Sequence, residues 1–182
     1  MKIFVASDIH GSAYYCKKMI SCIDKEKPDK IIFLGDILYH GPRNDLPYEY
    51  NPKEVIKLLN SLDYSVVSVR GNCDSEVDQM VLNFPILADY GIIILKNKTV
   101  FFTHGHIYNE TKIPPLRKGD IVLYGHTHIQ ALFEKNDFIY MNCGSVSIPK
   151  ENGFNGYMTI ENENFYWKDL DGTIKKEYHI DW

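Results

Sequence analysis

The chain lacks the features that mark disulfide-rich, zinc-finger, secreted and membrane proteins. Its four cysteines show neither a disulfide-dense pattern nor a Cys-x-x-Cys spacing, which excludes a structural zinc site and predicts free thiols in a reducing compartment. No apolar run approaches the length of a membrane span, and Asp8 follows the first apolar residues too soon for a signal peptide. We therefore expect a cytoplasmic protein without a membrane anchor.

An excess of basic residues is also missing. The 20 Lys and Arg residues are outnumbered by 24 Asp and Glu residues, which gives a formal net charge of −4. Surfaces that bind nucleic acid are usually basic, so nucleic acid is not expected as a partner. The sequence contains no internal repeat, low-complexity tract or linker. With 182 residues, 45% of them hydrophobic, the chain is expected to form a single domain spanning 1–182 with one substantial core.

Apolar runs alternate with helical patterns in the first part of the chain. Residues 2–6, 30–34 and 65–69 read as strands. Helices are predicted between them, one after Ser12 as its N-cap and one after Asn51 as its N-cap. Further short β-prone runs separated by turns follow at 92–95, 99–103, 121–124, 131–134, 138–141, 156–160 and 165–168. This order predicts an α/β fold in which two sheets pack together with helices outside.

Five of the apolar runs are each followed by side chains that can act as metal ligands. They are Asp8, His10, Asp36, Asn72, His104, His126 and His128. Ligands in open α/β sheets bind at the carboxyl ends of the strands, which is where these residues fall. Imidazole and carboxylate together suit Mn, Fe, Co, Ni or Zn. Seven ligands exceed what one catalytic ion takes, and they fit two ions that share one carboxylate and a bridging water or hydroxide.

Each of these residues taken alone could be a polar loop residue that caps a strand or helix, and only the ordered set favours metal binding. His104 is preferred to His106 as the ligand because it directly follows its strand, which leaves His106 beside the ligands or in contact with substrate. Asp74 is expected to orient its neighbours by hydrogen bonding. His40 and Arg43, in a long loop, could bind phosphate or could form a solvated loop tip.

The ordered motifs Asp-x-His, Gly-Asp, Gly-Asn-x-Asp, Gly-His and Gly-His-x-His resemble those of the calcineurin-like metallophosphoesterase superfamily. The stretches 35–44 and 71–74 resemble its small bacterial YfcE-type phosphodiesterases in particular. The resemblance implies a four-layer α/β sandwich of two mixed β-sheets flanked by helices. It also implies a metal-dependent phosphodiesterase. The alternatives are a phosphomonoesterase on the same site and, in a different class, a non-catalytic protein-binding scaffold.

The resemblance also implies a role for each candidate ligand, with Asp36 shared by two metal ions. The other ligands would be Asp8, His10 and His128 for one ion, and Asn72, His104 and His126 for the other. A water or hydroxide bridging the ions would attack phosphorus. Two divalent cations keep the site positive in an acidic protein, so a small phosphate ester is the expected partner. Mn²⁺ is the expected metal, with Zn²⁺, Ni²⁺, Fe²⁺ and Co²⁺ as alternatives, and a homo-oligomer is expected.

Cys73 departs from the pattern of the superfamily, because many relatives carry at this position a histidine that assists protonation of the leaving group. A thiol of ordinary pKa is a poorer general acid. We therefore expect hydrolysis to favour leaving groups that need little protonation, or His40 or water to supply the proton. The residues expected to act in catalysis are Asp36, Asn72, His104, Cys73 and His40, and those expected to contact substrate are Arg43, His106 and His40.

Overall fold

The computed structural model describes residues 1–112 and 114–180. Three helices occur in this part of the chain: α1 (Ala13–Glu26), α2 (Pro52–Asn60) and α3 (Glu76–Gln79). The strands are β1 (Lys2–Ala6), β2 (Lys30–Phe33), β3 (Val66–Ser68), β4 (Tyr90–Leu95), β5 (Lys98–Thr103), β6 (Ile121–Tyr124), β7 (Gln130–Lys135), β8 (Phe138–Cys143), β9 (Gly156–Glu161), β10 (Asn164–Asp169) and β11 (Ile174–His179).

The strands form two mixed sheets. The first sheet has the order β11-β10-β9-β1-β2-β3, and the second has the order β4-β5-β6-β8-β7. Strands β1, β2 and β3 are mutually parallel, and so are β5, β6 and β8. The remaining pairings are antiparallel. The parallel strands therefore lie side by side in each sheet, and their carboxyl ends can supply one shared edge.

Two apolar layers hold the elements together. Between the sheets, Val5 of β1, Leu123 of β6 and Trp167 of β10 belong to one buried cluster. On the opposite face of the first sheet, Met19 of α1 and Leu59 of α2 belong to a second cluster, which also takes in side chains of β1 and β2. The predicted α/β sandwich of two mixed sheets is confirmed.

The helix starts follow from their capping residues. The side chain of Ser12 accepts a hydrogen bond from the backbone N–H of Tyr15 at the start of α1. The side chain of Asn51 does the same for Glu54 at the start of α2, where Pro52 occupies the first helical turn. Both N-caps were predicted from the sequence. Among the described residues, no helix is both long and apolar enough to cross a bilayer.

The outer layers differ from each other. Both long helices lie on the first sheet, and the three helices of the described residues all precede β4 in the chain. The outer face of the second sheet carries aromatic residues instead. Tyr108, from the irregular segment after β5, packs edge-on against Phe101 with 5.4 Å between ring centroids. The short helix α3 was not predicted from the sequence.

Candidate metal centre

The candidate ligands meet where the parallel strands of both sheets end. In chain order they are Asp8 and His10 after β1, Asp36 after β2, Asn72 after β3, His104 after β5, and His126 and His128 after β6. The structure brings all seven into one connected cluster of contacts. The core of this cluster is sequestered from solvent, because Asp8, His10, Asp36, His104 and His128 are all buried.

Asp8, His10 and His128 form one side of the cluster. Oδ1 of Asp8 lies 3.2 Å from Nε2 of His128 and 3.5 Å from Nε2 of His10. The two Nε2 atoms lie 3.2 Å from each other. Three ligand atoms at these separations surround a point that a single cation could occupy.

Asn72, His104 and His126 form the other side. Nε2 of His104 lies 3.1 Å from Oδ1 of Asn72 and 3.3 Å from Nδ1 of His126. Asn72 is exposed and His126 is only partly buried, so this side faces solvent more than the first. A substrate would reach the cluster from here.

Asp36 lies between the two sides. Its Oδ2 is 3.6 Å from Nε2 of His10 and 3.4 Å from Nε2 of His104. Its Oδ1 is occupied elsewhere, because it accepts a hydrogen bond of 2.8 Å from the backbone N–H of Cys73. One carboxylate oxygen of Asp36 therefore remains to be shared by both sides.

Backbone carbonyls fix the orientation of three imidazoles. The Nδ1 atoms of His10, His104 and His128 lie 2.7 Å, 2.7 Å and 2.9 Å from the carbonyl oxygens of Tyr39, Leu34 and Ile148. A carbonyl only accepts, so we assign the proton of each neutral ring to Nδ1. The lone pair of each Nε2 then points at the cluster. His126 differs, since it presents Nδ1 to the cluster.

This arrangement leaves acceptors facing acceptors. Oδ1 of Asp8 is buried without a hydrogen-bond donor, although two imidazole nitrogens lie within 3.5 Å of it. Buried acceptors in close contact need a positive charge between them, which a proton or a metal ion can provide. Nitrogen and oxygen donors of this kind suit divalent transition metals. The residues present therefore fit metal ions.

The electrostatics of the site agree with this fit. Burial disfavours the charged form of Asp8, yet its contacts with His10 and His128 outweigh burial and hold the pKa of that carboxyl well below its usual value. Burial also acts against protonation of His104, but Asp36 and Asp8 raise its pKa to about 9. Burial and the neighbouring His104 lower the pKa of His126 to about 4. A potential that protonates His104 also favours a divalent cation at the same place.

The backbone of the cluster is held in an unfavourable conformation. Five candidate ligands have positive φ, namely Asp8 (57°), His10 (48°), Asp36 (54°), His126 (63°) and His128 (63°). Such angles cost a non-glycine residue on the order of 1–3 kcal/mol and concentrate at functional sites. At each of these residues the left-handed conformation turns the backbone at the end of the strand and directs the side chain into the cluster.

Two glycines of the motifs are needed for close packing. A Cβ on Gly71 would lie 2.1 Å from Oδ1 of Asp36, and a Cβ on Gly125 would lie 2.0 Å from Oγ of Ser7. Neither position has room for a side chain. The glycines that precede Asn72 and His126 therefore bring their backbone against the carboxylates of the opposite strand ends.

Several residues that hold the ligands were missed in the sequence. Oγ of Ser7 donates to Oδ2 of Asp8 at 2.6 Å, and the hydroxyls of Ser145 and Ser147 donate to the backbone carbonyl of Asp8. Ser7 is adjacent to Asp8 in the chain and could have been suspected. Ser145 and Ser147 come from the loop after β8, and no local sequence signal links them to Asp8.

Asp74 supports the loops rather than joining the cluster. Its carboxylate accepts hydrogen bonds from the backbone N–H groups of Asp36, Ile37 and Gly71 at 2.8, 2.9 and 2.7 Å. Burial, with the nearby charge of Asp36, raises the pKa of this carboxyl. Asp74 thereby ties the loop after β2 to the loop after β3, as the sequence predicted for a residue that orients its neighbours.

A polar groove of about 260 Å³ opens beside the cluster. It is lined by Asp36, Arg43, Asn44, Asn72, His126, Thr127, His128 and Lys150. Arg43 was predicted from the sequence to contact substrate, whereas Lys150 carried no signal. Both are exposed cations, so the groove offers positive charge next to the candidate metal centre.

The other predicted residues lie in different surroundings. The ring of His106 packs against His104 with 5.3 Å between centroids, and burial lowers its pKa. The ring of His40 lies between Tyr39 and Tyr50, with centroids 4.7 and 5.2 Å away. His40 is absent from the lining of the polar groove.

The thiol of Cys73 lies beside the candidate ligands. Its Sγ accepts a hydrogen bond of 3.2 Å from Nδ2 of Asn72. Burial and the charge of Asp36 raise the pKa of this thiol above its usual value. Cys73 therefore remains protonated at neutral pH.

The protein has two packed mixed sheets, and carboxylates, imidazoles and an amide gather at the ends of their parallel strands. This combination defines a metallophosphoesterase-like α/β sandwich. The sequence model of the calcineurin-like phosphoesterase superfamily domain matches residues 1–164. The chain belongs to this superfamily, which makes it a phosphoesterase and a hydrolase. The resemblance seen in the sequence motifs is thereby confirmed.

Individual relatives agree with this assignment. The chain is 41% identical over 163 residues to the phosphodiesterase YfcE of Escherichia coli K12, covering 90% of this chain and 89% of that protein. A solved structure of YfcE, a phosphoesterase from E. coli, superimposes with a TM-score of 0.94 over all of both chains at 39% identity. The Vps29 protein of Entamoeba histolytica in complex with zinc shares the fold alone, with a TM-score of 0.64 at 20% identity over 98% of this chain and 99% of that one.

Proposed function

We propose that this chain hydrolyses phosphodiesters at a site that holds two divalent cations on either side of Asp36. One observation carries the proposal: Oδ2 of Asp36 lies 3.6 Å from Nε2 of His10 and 3.4 Å from Nε2 of His104, so a single oxygen faces both groups of acceptors. The 41% identity to a named phosphodiesterase supports a diester as substrate.

In this proposal one cation is bound by Asp8, His10 and His128, and the other by Asn72, His104 and His126, with Asp36 shared. Bound cations would polarise the phosphoryl oxygens and lower the pKa of a water between them. The carbonyls that hold the imidazoles, and Asp74, which holds the loop of Asp36, keep the ligands in place. Little reorganisation is then needed when negative charge develops on the phosphoryl group.

The residues around the cluster would bind and orient the ester. Arg43 and Lys150 offer positive charge to the phosphoryl oxygens in the polar groove. His106, packed against His104, is proposed to contact substrate. Cys73 remains protonated but is a weak acid, because burial raises its pKa. Leaving groups that need little protonation are therefore the favoured ones, unless His40 or water supplies the proton.

Mn²⁺ is the proposed metal, with Zn²⁺, Ni²⁺, Fe²⁺ and Co²⁺ as alternatives that the same nitrogen and oxygen donors accept. The test is turnover by metal-stripped protein reloaded with each ion separately. Bis(p-nitrophenyl) phosphate serves as the diester and p-nitrophenyl phosphate as the monoester. We expect metal-dependent turnover with a higher kcat/KM for the diester. A higher value for the monoester would replace the diesterase with a monoesterase, and no turnover with any ion would overturn the proposal.

A non-catalytic scaffold is the alternative of a different class, and the convergence of the candidate ligands into one cluster speaks against it. We further propose that residues 1–182 act as one domain, since both sheets share one apolar cluster.

Four free cysteines, three of them buried, support a reducing compartment, for which we propose the cytoplasm. A homo-oligomer is supported by the exposed apolar side chains of Ile92 and Ile94 on the edge strand β4.

A further inference from the structure

A second groove, different in character from the polar one, begins beside the candidate metal centre. It has a volume of about 450 Å³ and is named here the apolar groove. Its lining includes Tyr39 and Tyr50 from the long loop after β2, Ile56 of α2, Val77 and Val81 around α3, and Cys73. We propose that the apolar groove binds an uncharged aromatic or aliphatic arm of the phosphodiester substrate. This inference rests on the proposed function and specifies its substrate class.

The apolar groove is continuous with the candidate metal centre through Cys73. Sγ of Cys73, a ring nitrogen of His10 and a carboxylate oxygen of Asp36 all lie within 4.8 Å of one another. The backbone N–H of Cys73 also donates to Asp36. The first carbon of an ester arm lies only two bonds from phosphorus. An ester arm that extends from a phosphoryl group bound at Asp36 and passes Cys73 therefore enters the apolar groove.

The two grooves differ in charge. The polar groove carries the cations Arg43 and Lys150, whereas none of the described residues that line the apolar groove is a lysine or arginine. Asp78 is a charged residue in this lining, and its carboxylate accepts hydrogen bonds from the backbone N–H and the hydroxyl of Ser75. A fixed negative charge repels a second phosphate or a carboxylate. An anionic or polar arm is thus directed to Arg43, and an uncharged apolar arm to the apolar groove.

The groove also presents apolar surface that a ligand would remove from water. Val77 is 68% exposed, Val81 is 42% exposed and Tyr39 is 41% exposed. Exposed apolar side chains that cluster beside a reactive centre are typical of ligand sites. Burial of these side chains by an apolar arm would be favourable, roughly in proportion to the area covered.

The wall that carries Val77 and Val81 is held in place before any ligand binds. Ser75 and Asp78 form a capping box at the start of α3. The side chain of Asn60 donates to the carbonyl of Val81 at 2.8 Å, which ties the end of this segment to α2. A preformed wall loses little conformational entropy on binding, which favours a specific site.

The direct test uses two non-hydrolysable anions, diphenylphosphinate and dimethylphosphinate, with zinc-loaded full-length protein labelled with ¹³C in its Ile and Val methyl groups. We expect the methyl signals of Ile56, Val77 and Val81 to shift with diphenylphosphinate and not with dimethylphosphinate. Equal responses to both anions, or no shift in these methyls, would overturn the inference. This readout does not depend on turnover.

A pair of variants tests the same point by inhibition of bis(p-nitrophenyl) phosphate hydrolysis. Val81→Trp fills the apolar groove and should raise the inhibition constant of diphenylphosphinate about tenfold, with that of dimethylphosphinate changed less than about twofold. Val67→Trp is the matched control, because Val67 is 43% exposed and lies on the edge strand β3. A rise of the same size in both variants would contradict the inference.

The outcomes separate this inference from the proposed function. Hydrolysis of diesters without the methyl shifts would refute the apolar groove as a subsite and leave the phosphodiesterase intact. Methyl shifts in a protein that hydrolyses no ester under any metal would refute both the phosphodiesterase and the substrate role of the groove.

Discussion

Oδ1 of Asp8 lies 3.2 Å from Nε2 of His128, and this contact joins the two sheets. Asp8 follows β1 in the first sheet and His128 follows β6 in the second. The candidate metal centre can therefore form only when the sheets are packed face to face. Cations bound at this edge would in turn stabilise the packed state, because they bind the folded chain and not the unfolded one.

Asp36→Asn tests the shared carboxylate. An amide carries no charge, so we expect kcat/KM for bis(p-nitrophenyl) phosphate to fall about a thousandfold or more, with weaker binding of metal. Steady-state kinetics and metal analysis by mass spectrometry are the measurements. Asp24→Asn is the control, since Asp24 is an exposed residue of α1 away from the site. Turnover within about twofold of the unaltered protein would show that Asp36 is not the shared ligand.

Cys73→His tests the supply of a proton to the leaving group. An imidazole is a better general acid than a thiol whose pKa is raised by burial, and general acids contribute about 10²-fold or more where the leaving group is poor. We expect a higher kcat for alkyl esters and little change for p-nitrophenyl esters. Cys73→Ser controls for loss of the thiol alone. If kcat for alkyl esters did not rise in Cys73→His, the explanation would fail.

Arg43→Ala tests the charge in the polar groove. Arg43 is an exposed residue of the long loop, so its removal should leave the candidate ligands in place. We expect KM for diesters to rise about tenfold while kcat stays within about twofold, because an interaction of similar strength is lost in ground and transition states. Lys53→Ala, an exposed cation of α2, is the control. An unchanged KM would place Arg43 outside the substrate site.

Glu26→Gln tests an ion cluster far from the candidate metal centre. Oε1 of Glu26 accepts hydrogen bonds from Lys168 at 2.7 Å and Tyr157 at 2.9 Å, and Oε2 accepts one from Lys2 at 3.0 Å. Burial acts to raise the pKa of Glu26, but Lys168, Lys2 and Tyr157 outweigh it, so the pKa is lowered below the ordinary 4.5. The stabilisation is therefore fully present above pH 4.5 and is lost as the pH falls through the lower folded pKa.

We expect Glu26→Gln to lower the free energy of unfolding by about 2 kcal/mol at pH 7, since charged hydrogen bonds are lost. The difference from the unaltered protein should shrink as the pH falls below 4.5 and through the lowered pKa of folded Glu26, because the carboxyl then becomes protonated in both states. Urea unfolding at a series of pH values measures it. Glu151→Gln, at an exposed position, should change nothing. A difference that grows towards low pH would contradict the assigned direction of the pKa shift.

Much of the candidate metal centre could be predicted because its residues carry local signals. Each of Asp8, Asp36 and His104 lies just beyond the end of a buried strand, and parallel strands bring such positions to one edge. The course of the chain after β8 could not be predicted in the same way. Strands β9 to β11 return to the first sheet beside β1, and hairpin turns alone do not say which sheet a hairpin joins.

Features built from irregular segments were also missed. The four-residue helix α3 is too short to show a helical period, so Val77 gave no sign that it lines a groove. Tyr39 and Tyr50 stand 11 positions apart in a loop, and only the folded chain shows that both pack against His40. Lys150 lines the polar groove because its backbone N–H donates to the carbonyl of His128, a pairing set by tertiary contacts.

The most direct test of the proposed function is an anomalous-scattering map from crystals of the full-length protein loaded with Mn²⁺. We expect two peaks, one on each side of Oδ2 of Asp36, with Asp8 and His128 ligating one ion and Asn72 and His126 the other. A single peak, or peaks away from Asp36, would contradict the central claim that this carboxylate is shared between two cations.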